Sequence, residues 1–186
     1  MKLRPFMGYT SMDGVSEGRV FLNRELVPRF ANRFKDGDKI LFVGCHPYWD
    51  YSPFFNNPGK LCNYRTLDKH PGGGNQPVPD FNLSIEDCHT IEDNWFDGII
   101  MIGVYEYLDH PEKAFSEINR ILKPDGKALI SVPGKGYYTD ENRSINPWEV
   151  WEKFCPLIIL EVYVIYEKDN QPPTSISVIA KKGVAK

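Results

Sequence analysis

A tyrosine, a glutamate and a histidine crowd into the stretch Gly103-Val104-Tyr105-Glu106-Tyr107-Leu108-Asp109-His110. Tyr105, Glu106 and His110 are of the side-chain types that move or orient a proton beside a reacting group. Further upstream stands Asp68, about two dozen residues after Gly44, the spacing at which a carboxylate can meet a ribose diol. One carboxylate accepts from both hydroxyls, a bidentate grip that a neutral side chain reproduces poorly. The same aspartate could instead cap a helix or sit in a solvated turn. Cys45-His46 and Cys88-His89 put a thiol beside an imidazole, but neighbours on an extended chain point to opposite faces. None of the four cysteines forms a Cys-x-x-Cys pair, so no metal site is expected.

Such groups act together only if the chain carries them to one edge of a scaffold. Lys39–Gly44 (KILFVG) is almost without polar residues, as a strand in the centre of a parallel sheet should be. Cys62–Leu67 reads as a second strand ending at Asp68, Phe81–Ile85 as a third, Asp97–Ile102 as a fourth and Lys127–Val132 as a fifth. Glu112–Leu122 is amphipathic and predicts a helix between the last two. Ser16 is placed to cap a helix running to about Phe34, with Pro28 disturbing its middle. Pro53–Asn57 predicts a short helix, and Asn146-Pro147 opens another near Trp148–Phe154. Leu157–Glu167 and Thr174–Lys181, joined by a Pro-containing link, predict an antiparallel pair. The glycines and prolines of His70–Asp80 exclude a helix there and leave either a short surface crossover or a flap beside the site. Alternating strands and helices predict a single three-layer α/β domain over 1–186, with an arm and helix at 1–35 and the core at 38–182. In such a sheet ligands gather beyond the C-terminal strand ends, where Gly44, Asp68 and Gly103 fall.

The run Phe96 to Pro133, FDGIIMIGVYEYLDHPEKAFSEINRILKPDGKALISVP, resembles the class I S-adenosylmethionine-dependent methyltransferases of the type 11 kind. In these, Phe-Asp, an apolar strand, an acidic Glu-x-Leu segment and Arg-x-Leu-Lys-Pro-x-Gly follow in that order. The resemblance implies a Rossmann-like sheet of seven strands, mostly parallel with an antiparallel last strand, and S-adenosylmethionine as cofactor. It implies cofactor contacts from Gly44, Cys45 and His46 after the first strand and from Asp68, on the ribose hydroxyls, with Lys69 beside it. Glu86, Asp87 and Cys88 would lie near the adenine, and Gly103 and Val104 at the seam between cofactor and acceptor. The family's Gly-x-Gly-x-Gly turn is degenerate here: only Gly44 remains, with His46 and Tyr48 at the second and third glycine positions. Methyl transfer from a sulfonium requires no covalent enzyme group, since alignment does most of the work. Tyr105, Glu106 and His110 stand at that seam as candidate acid/base or orienting groups. Tyr107 and Leu108 are expected to pack. Tyr48, Trp49, Tyr51, Phe54, Phe55, Tyr137, Tyr138 and Trp148 would surround the mouth, although Phe54 and Phe55 could equally be core. Core packing is expected of the Trp148 and Trp151 pair.

The chain has 186 residues, 41% hydrophobic and 25% charged, with a net charge of −3. That composition supports a packed core and argues against a dedicated nucleic-acid binder. No apolar run is long enough to span a membrane, the start MKLRPFMGYTSMDG lacks a secretory signal's hydrophobic segment, and a cytoplasmic setting is expected. The function these readings support is transfer of a methyl group to a small-molecule acceptor. The alternative is a non-catalytic methyltransferase-like binding or partner protein that has lost the cofactor. With no large cap segment, the pocket would be open or completed in a homodimer.

Overall fold

A computed structural model describes residues 16–45, 50–74, 76–136, 144–167 and 171–183. Its centre is a six-stranded sheet. The strands, in chain order, are β1 (Lys39–Val43), β4 (Asn63–Leu67), β5 (Phe96–Ile102), β6 (Leu122–Pro133), β7 (Ile158–Ile165) and β8 (Ser175–Lys181). A two-residue-by-two-residue hairpin, β2 (Asn56–Asn57) with β3 (Lys60–Leu61), turns at Pro58-Gly59 outside it. The spatial order is β4-β1-β5-β6-β8-β7. The first three pairings are parallel and the last two antiparallel, as the sequence predicts for the closing pair.

The expected third strand is the one strand that does not form. Phe81–Ile85 touches the sheet through a single parallel bridge, Leu67 to Phe81. The physical reason lies just before it, where the helix-free crossover 70–80 delivers the chain to the sheet edge. There Asp80 turns its carboxylate onto the backbone N–H and hydroxyl of Thr66, which takes up edge groups a longer ladder would need. Among the described residues the central sheet therefore has six strands rather than the expected seven.

Strand residues alternate between two apolar layers. Leu41, Val43, Ile99, Met101, Ala128 and Ile130 face one, together with Ala114, Phe115, Ile118 and Ile121 of helix α4 (Pro111–Ile121) and Val150 and Phe154 around α5 (Val150–Lys153). Ile40, Phe42, Ile100, Ile102 and Leu129 face the other, against Leu22, Leu26, Val27 and Phe30 of the N-terminal helix and Phe55 of α3 (Ser52–Phe55). Strands apolar on both faces must be covered on both sides, so the three layers follow from the sequence.

The N-terminal helix answers its proline in a specific way. Ser16 caps it, its hydroxyl accepting from the Arg19 N–H at 3.3 Å. α1 (Glu17–Phe21) then passes into a π-helical turn, Leu22–Leu26, before α2 (Val27–Ala31). Pro28 can neither donate to the carbonyl four residues back nor stand close to it, and widening the preceding turn relieves both problems without breaking the helix. Trp148 and Trp151 are exposed rather than packed, at 74% and 63%. Val150 and Phe154 take the core-facing side of that turn, which leaves the two tryptophans on the other.

Candidate functional site

Beyond the C-terminal ends of β4, β1 and β5 lies a cavity of about 380 Å³. Gly44 and Cys45 line it from the end of β1, and Leu67, Asp68, Lys69 and His70 from the end of β4. Ser84, Ile85 and Glu86 enter from the following loop. Gly103, Val104, Glu106, Tyr107 and Leu108 enter from the end of β5, and Arg19 from α1. It is the position an open α/β sheet reserves for ligands.

Two glycines make its floor. Gly44 has φ +82° and Gly103 φ +68°, both in the left-handed region that L side chains rarely adopt. A Cβ on Gly44 would stand 2.3 Å from Val104 Cγ2, and one on Gly103 would stand 3.2 Å from the Arg19 guanidinium. The two turns therefore approach each other closely and leave backbone, not side chain, at the cavity edge.

Asp68 is held in place before any ligand arrives. Its N–H donates to the Phe81 carbonyl at 3.1 Å, and its Oδ1 accepts from the His70 N–H at 2.9 Å. The Asn82 side-chain amide donates to the carbonyls of Asp68 at 3.0 Å and Lys69 at 3.1 Å. Lys69 reaches across to the Tyr107 carbonyl at 3.4 Å. Burial pushes the Cys45 thiol up, and the Asp68 charge adds to it; its Sγ lies 3.8 Å from the Pro77 carbonyl.

Of the residues singled out from sequence, the structure brings Gly44, Cys45, Asp68, Lys69, Glu86, Gly103, Val104 and Glu106 to one cavity. His46, Tyr48, Trp49, Tyr137 and Tyr138 lie outside the described residues, as does the arm before Ser16. Asp87 and Cys88 stand apart from the lining. Asp87 is exposed and pairs with His89 at 2.7 Å. Cys88 is buried, its thiol donating to Glu117 at 3.1 Å, and is pushed up to about 12 by burial and that carboxylate.

Among the acid/base candidates, Tyr105 is a core residue, its ring stacked on Phe115 and its phenol pushed up to about 12 by burial. His110 is exposed, its backbone N–H donating to the Glu86 carboxylate. Glu106 alone of the three lines the cavity. Burial raises its carboxyl against the lowering effect of a backbone hydrogen bond and of Arg19.

Leu108 packs against the core as expected and also lines the cavity, whereas Tyr107 is exposed and lines it without packing. The short 3₁₀ turn Tyr105–Tyr107 spends only Tyr105 on the core. Tyr51 and Phe55 are fully buried and do not line the cavity. Arg19, Ser84 and Ile85 were not foreseen. Arg19 carried one signal, a charge three residues after a capping serine, on a helix whose packed side faces the sheet.

A family model described as methyltransferase domain matches residues 20–159. A curated relative, phosphoethanolamine N-methyltransferase 2 of Caenorhabditis elegans, is 43% identical over 49 residues, which is 26% of this chain and 11% of that protein. The chain thus matches a small part of that relative's length. Among solved structures, a SAM-dependent methyltransferase from Aquifex aeolicus superposes with a TM-score of 0.59 at 20% identity, covering 82% of this chain and 88% of the other. The N-methyltransferase NodS from Bradyrhizobium japonicum superposes with a TM-score of 0.63 at 14% identity, covering 86% and 93%. At these identities the likeness is one of fold. Among the described residues no helix is long and apolar enough to cross a membrane.

Proposed function

The chain belongs to the methyltransferase domain family, and from that premise we propose that it transfers a methyl group from S-adenosylmethionine to a small-molecule acceptor, in the cavity beyond β4, β1 and β5. The observation that carries this reading is the placement of Asp68. It is a carboxylate on a braced backbone, at the end of the strand next to β1, beside a floor of two glycines that admits a ligand to the backbone.

The residues present fit the cofactor. Asp68 would accept from the ribose hydroxyls. Gly44 and Gly103 leave room for a thioether-sized chain. Ile85, Val104 and Leu108 provide apolar wall, and Ser84 and Glu86 provide polar partners at the nucleoside end. S-adenosylmethionine supplies, when bound, a methyl group on a positively charged sulfur. The chain's own contribution is to hold donor and acceptor in line and to keep water from the sulfur, and this positioning can account for most of the acceleration. A protein base is needed only for an acceptor that must lose a proton.

Calorimetric titration with the demethylated product, S-adenosylhomocysteine, is expected to show binding. Asp68→Ala should leave the melting temperature near that of the unaltered protein and weaken binding by about 1.5–3 kcal/mol, the scale of lost charge-assisted hydrogen bonds. Unchanged affinity would remove Asp68 from the site. No binding by the unaltered protein would favour a methyltransferase-like partner protein instead.

A further inference from the structure

We propose that Arg19 and Glu106 form a two-charge clamp for the amino-acid end of the methyl donor, the guanidinium taking the carboxylate and the glutamate taking the ammonium. The assignment rests on the methyl-donor reading above.

Both side chains line the cavity. Glu106 brings an unsatisfied demand: its Oε2 is buried and has no hydrogen-bond partner among the described residues. A buried carboxylate oxygen without a donor is costly and uncommon in a folded protein. What it lacks is a donor, and the side chain that carries it lines the cavity, so a turn of the carboxylate toward a bound ligand would supply one.

Arg19 is held from behind. Its Nη1 donates to the Tyr51 hydroxyl at 3.3 Å, and that hydroxyl donates to Asn23 Oδ1 at 3.1 Å, within the N-terminal helix layer. Tyr51 is fully buried, so this support is fixed by the core. The guanidinium then lies over the Gly103 backbone, 3.2 Å from where a side chain would start. Glu106 stands on the turn immediately after Gly103, and burial raises its carboxyl while Arg19 acts to lower it.

A cavity end carrying one positive and one negative group discriminates by charge pattern. A simple cation would be attracted by Glu106 and repelled by Arg19, and a simple anion the reverse, whereas a zwitterion is matched at both ends. An α-amino acid carries its two charges on one carbon, the closest such pairing.

The sheet order also sets the direction. Asp68 ends β4, Gly44 ends β1, and Gly103 leads from β5 to Glu106, with β4-β1-β5 adjacent. Neighbouring strands lie about 4.8 Å apart, so Asp68 and the charge pair are separated by roughly 10 Å across the strand ends. That places the nucleoside over β4 and the amino-acid end over β5, with the thioether crossing Gly44.

The test compares two ligands on the full chain by calorimetry. S-adenosylhomocysteine carries the amino-acid end, and 5′-methylthioadenosine has the same nucleoside and thioether without it. Arg19→Ala and Glu106→Gln are each expected to weaken S-adenosylhomocysteine by at least about 10-fold, the scale of one charge-assisted contact. Methylthioadenosine binding should stay within about 2-fold of the unaltered protein. Arg19→Lys and Glu106→Asp serve if either variant is found unfolded by circular dichroism. Tyr51→Phe, which removes the hydroxyl behind Arg19, should show a smaller loss confined to S-adenosylhomocysteine. Equal weakening of both ligands, or unchanged S-adenosylhomocysteine binding in both variants, overturns the clamp alone. Binding of neither ligand by the unaltered protein overturns the methyl-donor reading and the clamp with it.

Discussion

Gly44→Ala is expected to lower stability by about 2–4 kcal/mol, through two costs that a second substitution can separate. The first is conformational: at φ +82° an L residue loses roughly 1–2 kcal/mol relative to glycine. The second is steric, because the new methyl would fall 2.3 Å from Val104 Cγ2, and the turn after β1 cannot withdraw freely while the Gly44 N–H is bonded to the Leu67 carbonyl at 2.8 Å. For a chain of this size the loss corresponds to a fall in melting temperature of roughly 4–16 °C. Adding Val104→Ala should restore the steric part and leave the conformational part, so the double variant should be more stable than Gly44→Ala alone. That sign is the reverse of what deleting a packed valine normally gives. A melting temperature unchanged by Gly44→Ala would show that the turn can adopt another path.

That glycine also shows where the sequence was informative and where it was not. Strands with continuous apolar runs, such as ILFV and GIIMI, belong in the interior of a parallel sheet, and the amphipathic run after Pro111 packs on it. Sheet centre, helix layers and the antiparallel closing pair were therefore legible. Asp68, Gly44 and Gly103 reach the cavity because strand ends are fixed by the strands. What failed were features decided by competition between neighbours. Phe81–Ile85 has strand-like residues, but Asp80 takes the edge of β4 first. Trp148 and Trp151 have helix-face spacing, but Val150 and Phe154 hold the inner side. Tyr107 has a packing residue's chemistry on a 3₁₀ turn too short to bury more than Tyr105. Arg19 was not legible because its contacts, Tyr51 and the Gly103 backbone, lie far along the chain, and nothing in the local pattern of α1 announces a distant partner.

Arg120→Ala is expected to be the most destabilising of the surface-proximal changes, by about 2–4 kcal/mol at neutral pH, because one guanidinium satisfies groups on three sides. Its Nε and Nη2 grip the two Glu117 oxygens at 2.8 Å each. Nη1 donates to the Ile91 carbonyl at 2.7 Å and to Asp93 at 2.6 Å, and Nη2 also donates to the Cys88 carbonyl at 3.1 Å. Glu117 in turn accepts from the Cys88 N–H and thiol, both at 3.1 Å. The cluster therefore stitches the strandless loop 84–95 to α4, in place of the ladder that a full third strand would have provided. The Glu117 carboxyl is held down at about 2, first by its hydrogen bonds to Arg120 and then by those from Cys88, against burial. A carboxyl depressed in the folded state stabilises above its unfolded value near 4.5 and loses that contribution as pH falls from there through about 2. The stability gap between the unaltered protein and Arg120→Ala, read from urea midpoints, should thus be full at pH 7 and shrink steadily below pH 4.5. Arg120→Lys should recover only part of the loss, since a point charge cannot replace the planar fork. Because the same loop carries Ser84, Ile85 and Glu86 into the cavity wall, Arg120→Ala should also weaken S-adenosylhomocysteine binding. A pH-independent deficit would remove the Glu117 carboxylate from the loss, and an unchanged ligand affinity would separate the cluster from the cavity wall.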